Sequence, residues 1–160
     1  MPTKPATPRT RPRATTRKVL ISLFFGLPAV LTACGAGGIS DTVSTAAEDT
    51  ASAIATARIA TRLDVEGQLT RAATSTALDD ALKEVQSSRD SVLRLAPSTA
   101  EDRDLREEAL KVLDSSTAGL TIARDAVSSD DGAPSLADGD RALAAAEEAL
   151  SGLKTKAGGK

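Results

Sequence analysis

From Ser40 to Lys156 the apolar residues return at intervals of three and four, and that period restricts the chain to packed helices. Ala, the strongest helix former, is frequent throughout, and runs of β-branched residues are absent. Three stretches interrupt the pattern. In Glu66-Gly67-Gln68-Leu69-Thr70, Gly67 suits a left-handed helix end, Leu69 can pack back on the ended helix, and Thr70 suits the next cap. In Ala96-Pro97-Ser98, the proline disfavours helical geometry at Ala96, and Ser98 with Glu101 reads as a reciprocal capping box. The stretch 128–135 is a loop by its Ser, Asp, Gly and Pro content, after which Ser135 or Asp138 caps a last helix.

Four helices are therefore predicted, at about 41–66, 71–95, 99–129 and 136–156, within a domain spanning 41–156 and ahead of a tail at 157–160. The first carries an inward stripe of Val43, Ala47, Thr50, Ile54, Ala57 and Thr61. The second has Ala73, Leu78, Leu82, Val85, Val92 and Leu95, and the third Leu105, Ala109, Val112, Ser116, Leu120, Ala123 and Val127. The fourth has Leu136, Leu143, Ala146, Leu150 and Leu153. Similar lengths and short connections favour an all-α, up-down-up-down four-helix bundle. Failure of the break at Gly67 would instead give an extended helical hairpin or coiled coil. The segment after Cys34 has no Phe, Trp, Tyr, His or Met, so its core is aliphatic and rich in Ala, Thr and Ser. Small side chains bury little area at about 25 cal/mol per Å² each, which points to modest stability.

The first 33 residues are of another kind. Residues 1–18 are rich in Pro, Thr and Arg, and an apolar run of 15 residues follows, Val19 to Ala33, with Gly26 and Pro28 inside it. A membrane-spanning helix needs about 20 apolar residues. A basic start followed by an apolar run of this shorter length is the pattern of a secretory signal peptide. The run ends in Leu31-Thr32-Ala33-Cys34, which resembles the lipobox of bacterial lipoproteins. That resemblance implies a diacylglyceryl group on the Cys34 sulfur, cleavage between Ala33 and Cys34, and an α-amine open to further acylation. Two acyl chains are enough for stable residence in a membrane, where one binds marginally. Residues 34–40, with Gly35-Ala-Gly-Gly38, then read as a lipidated cysteine on a short flexible tether. Thr16-Arg17-Lys18-Val19-Leu20 resembles a twin-arginine signal with Lys18 in place of the second arginine, so the general secretory route is the expectation. The bias toward Ala, Thr, Arg and Asp, with Lys and Asn sparse, resembles that of high-G+C bacteria such as actinobacteria.

Charge is split along the same boundary. Lys4, Arg9, Arg11, Arg13, Arg17 and Lys18 precede Cys34, and no Asp or Glu does. Removing those six from the chain's 20 basic residues leaves 14 against 22 acidic ones, a formal −8 for 34–160. So acidic a domain repels a polyanion, which argues against nucleic acid as a partner.

Little catalytic chemistry is on offer. Without His, and with the one Cys at the lipid site, neither Ser-His triads nor Cys/His metal sites can be assembled. None of Lys83, Lys111, Lys154, Lys156 and Lys160 sits in a recognisable Ser-x-x-Lys context. Glu101, Asp102 and Asp104, with Glu107 and Glu108, read as first-turn acids interleaved with Arg103 and Arg106. Asp130, Asp131, Asp138 and Asp140 have oxygens that suit Ca²⁺, but their spacing does not match an EF-hand loop, and turn residues are the expectation. Asp79-Asp80 and Glu147-Glu148 read as exposed faces. Arg58 and Arg62 with Glu66 read as pairs along one helix, and the basic tail from Lys154 either as a contact for anionic lipid headgroups or as a frayed end beside the helix dipole.

No catalytic residue, metal ligand or cofactor site is therefore expected. The chain reads as a non-enzymatic envelope lipoprotein at the extracytoplasmic face of the cell membrane. It would be held by lipid on Cys34 and present its helices to an envelope protein or the cell wall. A ligand- or cation-binding sensor is the alternative.

Overall fold

The computed structural model describes residues 38–129 and 134–159. Four helices fill them: α1 (Ile39–Val65), α2 (Arg71–Leu93), α3 (Ala100–Ser128) and α4 (Leu136–Gly158). Their bounds lie within two residues of those read from the periodicity.

The helix ends are set by local chemistry. Asp41 reaches back to accept from the Gly38 amide at 3.2 Å, closing the start of α1. At its other end the Gly67 amide donates to the Asp64 carbonyl at 2.9 Å and the Gln68 amide to the Leu63 carbonyl at 2.8 Å. That 5→2, 6→1 pair is a Schellman ending, and it needs the left-handed backbone that Gly67 adopts at φ 69°. The break between α1 and α2 is thus real, and the extended hairpin or coiled coil is not what forms. Thr70 caps α2, accepting from the Ala73 amide at 3.3 Å. The open carbonyls at the end of α2 are met from outside the helix: Arg106 donates to the Val92 carbonyl at 3.2 Å and the Leu93 carbonyl at 2.9 Å.

The expected cap at Ser98 is corrected. Thr99 caps α3, its hydroxyl accepting from the Asp102 amide at 3.0 Å. Starting one residue later keeps Glu101 and Asp102 in the first turn, where the helix dipole favours negative charge. Ser135 caps α4 and forms a reciprocal box with Asp138, which accepts from the Ser135 amide at 3.0 Å.

Consecutive helices pack side by side, α4 closes the ring against α1, and α1 also meets α3 across the diagonal. Among the described residues α2 and α4 do not touch, so the bundle is rhombic in section. Cross-seam pairs give the direction of the helices. Glu48 pairs with Lys154, and Arg58 with Asp140 and Glu147, so α1 and α4 run antiparallel. Arg89–Asp114 at 2.7 Å and Asp79–Arg124 at 3.0 Å show the same for α2 and α3.

The core is built from Val43, Ile54, Leu78, Val85, Val92, Leu113, Leu120, Leu143 and Leu150, with Ala between them. Every residue predicted for the first stripe is buried. Elsewhere the buried face differs in detail. In α2, Thr74, Ala81 and Ser88 are buried, while Ala73 and Leu82 are partly covered, as is Leu95 just past the helix end. In α3, Leu113 is fully buried and Val112 only partly. The expected Leu136 in α4 is likewise partly covered, and Gly139 and Ala157 join the core.

Glycines bring α3 and α4 together. A Cβ at Gly119 would stand 3.1 Å from the Ala142 carbonyl oxygen, and one at Gly139 would stand 2.9 Å from the Ala123 Cα. Small residues at facing positions let helix backbones approach closely.

Candidate functional site

The most organised polar cluster lies on the seam between α1 and α4. Arg58 projects beside the buried Ala57 and Thr61, and only 17% of its side chain is exposed. Its Nε donates to Asp140 Oδ1 at 3.1 Å, its Nη2 lies 3.5 Å from Asp140 Oδ2, and its Nη1 bonds to Glu147. Arg62 adds a contact to Asp140 Oδ1 at 3.4 Å. The hydrogen bond from Arg58 holds the Asp140 carboxyl below the usual carboxylate range, against a smaller opposing push from burial. The same bond, together with the pair to Glu147, raises the Arg58 guanidinium above its ordinary value. Two acids and two arginines are thus paired across the seam. The cluster is suited to fixing the register of α1 against α4.

This arrangement corrects two expectations. Arg58 and Arg62 do not pair down their own helix with Glu66; both reach across to α4, while Glu66 accepts from Gln68 at 3.0 Å. Glu147 is half-buried in the seam rather than on an exposed face, whereas Glu148 is exposed. A signal for the cluster was present in the sequence. Asp140 and Glu147 are seven residues apart, flanking the stripe of Leu143, Ala146 and Leu150, where charges pair between helices.

The carboxylates considered for a cation are engaged otherwise. Asp138 is held below the usual range first by its hydrogen bonds from the Ser135 hydroxyl and amide, and then by Arg141. Asp140 belongs to the arginine cluster, and Asp130 and Asp131 lie outside the described residues. In the acidic start of α3, Asp104, Glu107 and Glu108 share one face of the helix. Asp104, Glu107 and Glu108 border an open depression of about 410 Å³ with Lys111 among them, and Glu108 pairs with Lys156 of α4. Asp80 pairs with Lys83 at 2.8 Å, and Asp79 with Arg124. Among the described residues no group of three or more His, Cys, Asp or Glu side chains is placed to hold a metal ion.

Further depressions lie on the surface of the described residues. A groove of about 680 Å³ runs between α1 and α2, floored by Ala53, Ala73, Ala77 and Ala81 and edged by Asp49, Asp80 and Glu84. A smaller one of about 380 Å³ lies between Val65, Leu136 and Ala137 at the end of the α1–α4 seam. Both are open to solvent. Ala33 and Cys34, the expected cleavage and lipidation residues, lie outside the described residues. Among the described residues no helix is long and apolar enough to cross a membrane. No family model, curated protein or solved structure matches the chain.

Proposed function

We propose that this chain is an exported lipoprotein, cut before Cys34 and held at the extracytoplasmic face of the cell membrane by lipid on that residue. The helical bundle it carries acts without catalysis, as a surface presented to another envelope component. The observation that carries this reading is Leu31-Thr32-Ala33-Cys34, placed directly after a basic start and a 15-residue apolar run. Cys34 is the chain's one cysteine, so this thiol has no partner for an intrachain disulfide.

The bundle fits a structural and interaction role. Its polar clusters are spent on register and caps, and its core is closed and aliphatic. Expression of the wild type beside Cys34→Ala tests the anchor. The wild type should show a shortened chain, incorporate labelled fatty acid and sediment with membranes. Unchanged precursor size, lipid labelling and fractionation in Cys34→Ala would sink the reading.

A further inference from the structure

We propose that the bundle stands on the membrane on one particular end, the one formed by the α2–α3 connection, with Leu93 and Arg94 meeting an anionic lipid surface. The inference rests on lipid attachment at Cys34. Only residues 35–38 separate Cys34 from Ile39, the first residue of α1. Even fully extended, that stretch reaches no more than about 18 Å. The helices are about twice that long at 1.5 Å per residue. The start of α1 is therefore tied close to the bilayer, and the far end of the bundle cannot take its place there.

The antiparallel order decides what accompanies it. α4 finishes beside the start of α1, as Lys154 on Glu48 shows. α2 finishes and α3 begins at the same end, joined by 94–99. Of the three helix connections this is the one without a carboxylate: the two at the far end carry Glu66 and Asp130-Asp131, whereas 94–99 carries Arg94 alone. Leu93 is 39% exposed beside it, and Ala96 and Ser98 are exposed too. Arg106 grips the carbonyls of Val92 and Leu93, so this apolar corner is held in place. Seven acids lie near the same end (Asp41, Asp90, Glu101, Asp102, Asp104, Glu107 and Glu108) against six basic groups (Arg89, Arg94, Arg103, Arg106, Lys154 and Lys156), and Lys154 and Lys156 are paired with Glu48 and Glu108, so this end is close to neutral in a segment that carries −8.

Lying flat is the competing pose that the tether permits. The α1–α2 flank opposes it, because it sets Asp49, Asp80 and Glu84 along the edge of its groove. An anionic surface repels those groups more than it repels the near-neutral end where Leu93 and Arg94 stand.

Single-cysteine labelling tests the seat. A lipidated Cys34 is a thioether and takes no maleimide, so Ser98→Cys and Gln68→Cys each give one labelled site, at opposite ends. Full-length proteins purified from membranes would be reconstituted into phosphatidylcholine–phosphatidylglycerol vesicles that carry a nitroxide quencher on the lipid headgroup. Circular dichroism checks that both variants keep their helices. Quenching several-fold stronger at 98 than at 68 is the expected result. Equal quenching at both positions on vesicle-bound protein overturns the seat and leaves the anchor standing. Maleimide labelling of the wild type at Cys34, or failure to bind vesicles at all, sinks the anchor and the seat with it.

Discussion

Gly139 of α4 lies so close to Ala123 of α3 that a Cβ on the glycine would stand 2.9 Å from the Ala123 Cα and 3.3 Å from its Cβ. The obstacle is partly main chain, which cannot rotate away. Gly139→Ala gains helix propensity, but forcing the two helices apart costs more, a net destabilisation of about 1–2 kcal/mol. Gly152 is the control, because nothing lies within 4 Å of a Cβ there. Gly152→Ala should stabilise by about 0.5–1 kcal/mol, the propensity gain alone. Urea unfolding of both variants measures the pair, and the opposite signs are the expected outcome.

Thr50 contributes a buried hydroxyl to the middle of the core with no hydrogen-bond partner, although the residue is 0% exposed. Thr61 is equally enclosed, but its hydroxyl donates to the Ala57 carbonyl at 2.9 Å. Replacing an unsatisfied hydroxyl with a methyl group removes a desolvation cost, so Thr50→Val should raise stability by about 1 kcal/mol. Thr61→Val should gain clearly less. A thermal melt of each variant against wild type makes the comparison.

Asp140 links the α1–α4 seam to pH. Its folded-state carboxyl titrates below the ordinary value because Arg58 hydrogen-bonds its charged form. The stabilisation is therefore fully present above the unfolded value of about 3.9, and it is lost as pH falls through the lower folded value. Asp140→Asn should cost about 1 kcal/mol at neutral pH, a modest figure because a third of the Asp140 side chain meets solvent. The gap between wild type and variant should hold down to about pH 5 and close below about pH 4. A gap that stays constant into acid would show that the seam does not depend on this charge.

The helix start at 100 gives a direct comparison of neighbouring hydroxyls. Thr99→Ala removes the acceptor for the Asp102 amide and should cost about 1 kcal/mol. Ser98→Ala should be nearly silent, since Ser98 is exposed and outside the cap. Equal losses in the two variants would place the cap differently.

These sites show where a single sequence carries the fold and where it does not. The α1 stripe from Val43 to Thr61 was legible because each inward position is apolar or Thr at strict three–four spacing. In α2 the true stripe runs 74-78-81-85-88-92, equally regular, but Thr74 and Ser88 hide it from a reading guided by greasy residues. Thr74 can sit inside because its hydroxyl returns to the Thr70 carbonyl at 3.2 Å. In α3 a narrow stripe missed Leu113, because this helix packs on α2, α4 and, across the diagonal, α1, so its buried face is wider. The arginine cluster lay beyond reach for a different reason. Periodicity tells which face of α1 and of α4 turns inward, but not how far one slides along the other. That offset is what brings Arg58 to Asp140 and Glu147 rather than leaving it to Glu66.

The aliphatic core has one last consequence, in redox chemistry. Oxidants attack thiols, thioethers and electron-rich rings, and the bundle packs itself with Leu, Val, Ile, Ala, Thr and Ser instead. Beyond Cys34 the chain has no sulfur, indole, phenol or imidazole at all. Peroxide or hypochlorite that would roughen a Met-filled core finds no side chain in this one to convert into a polar lesion.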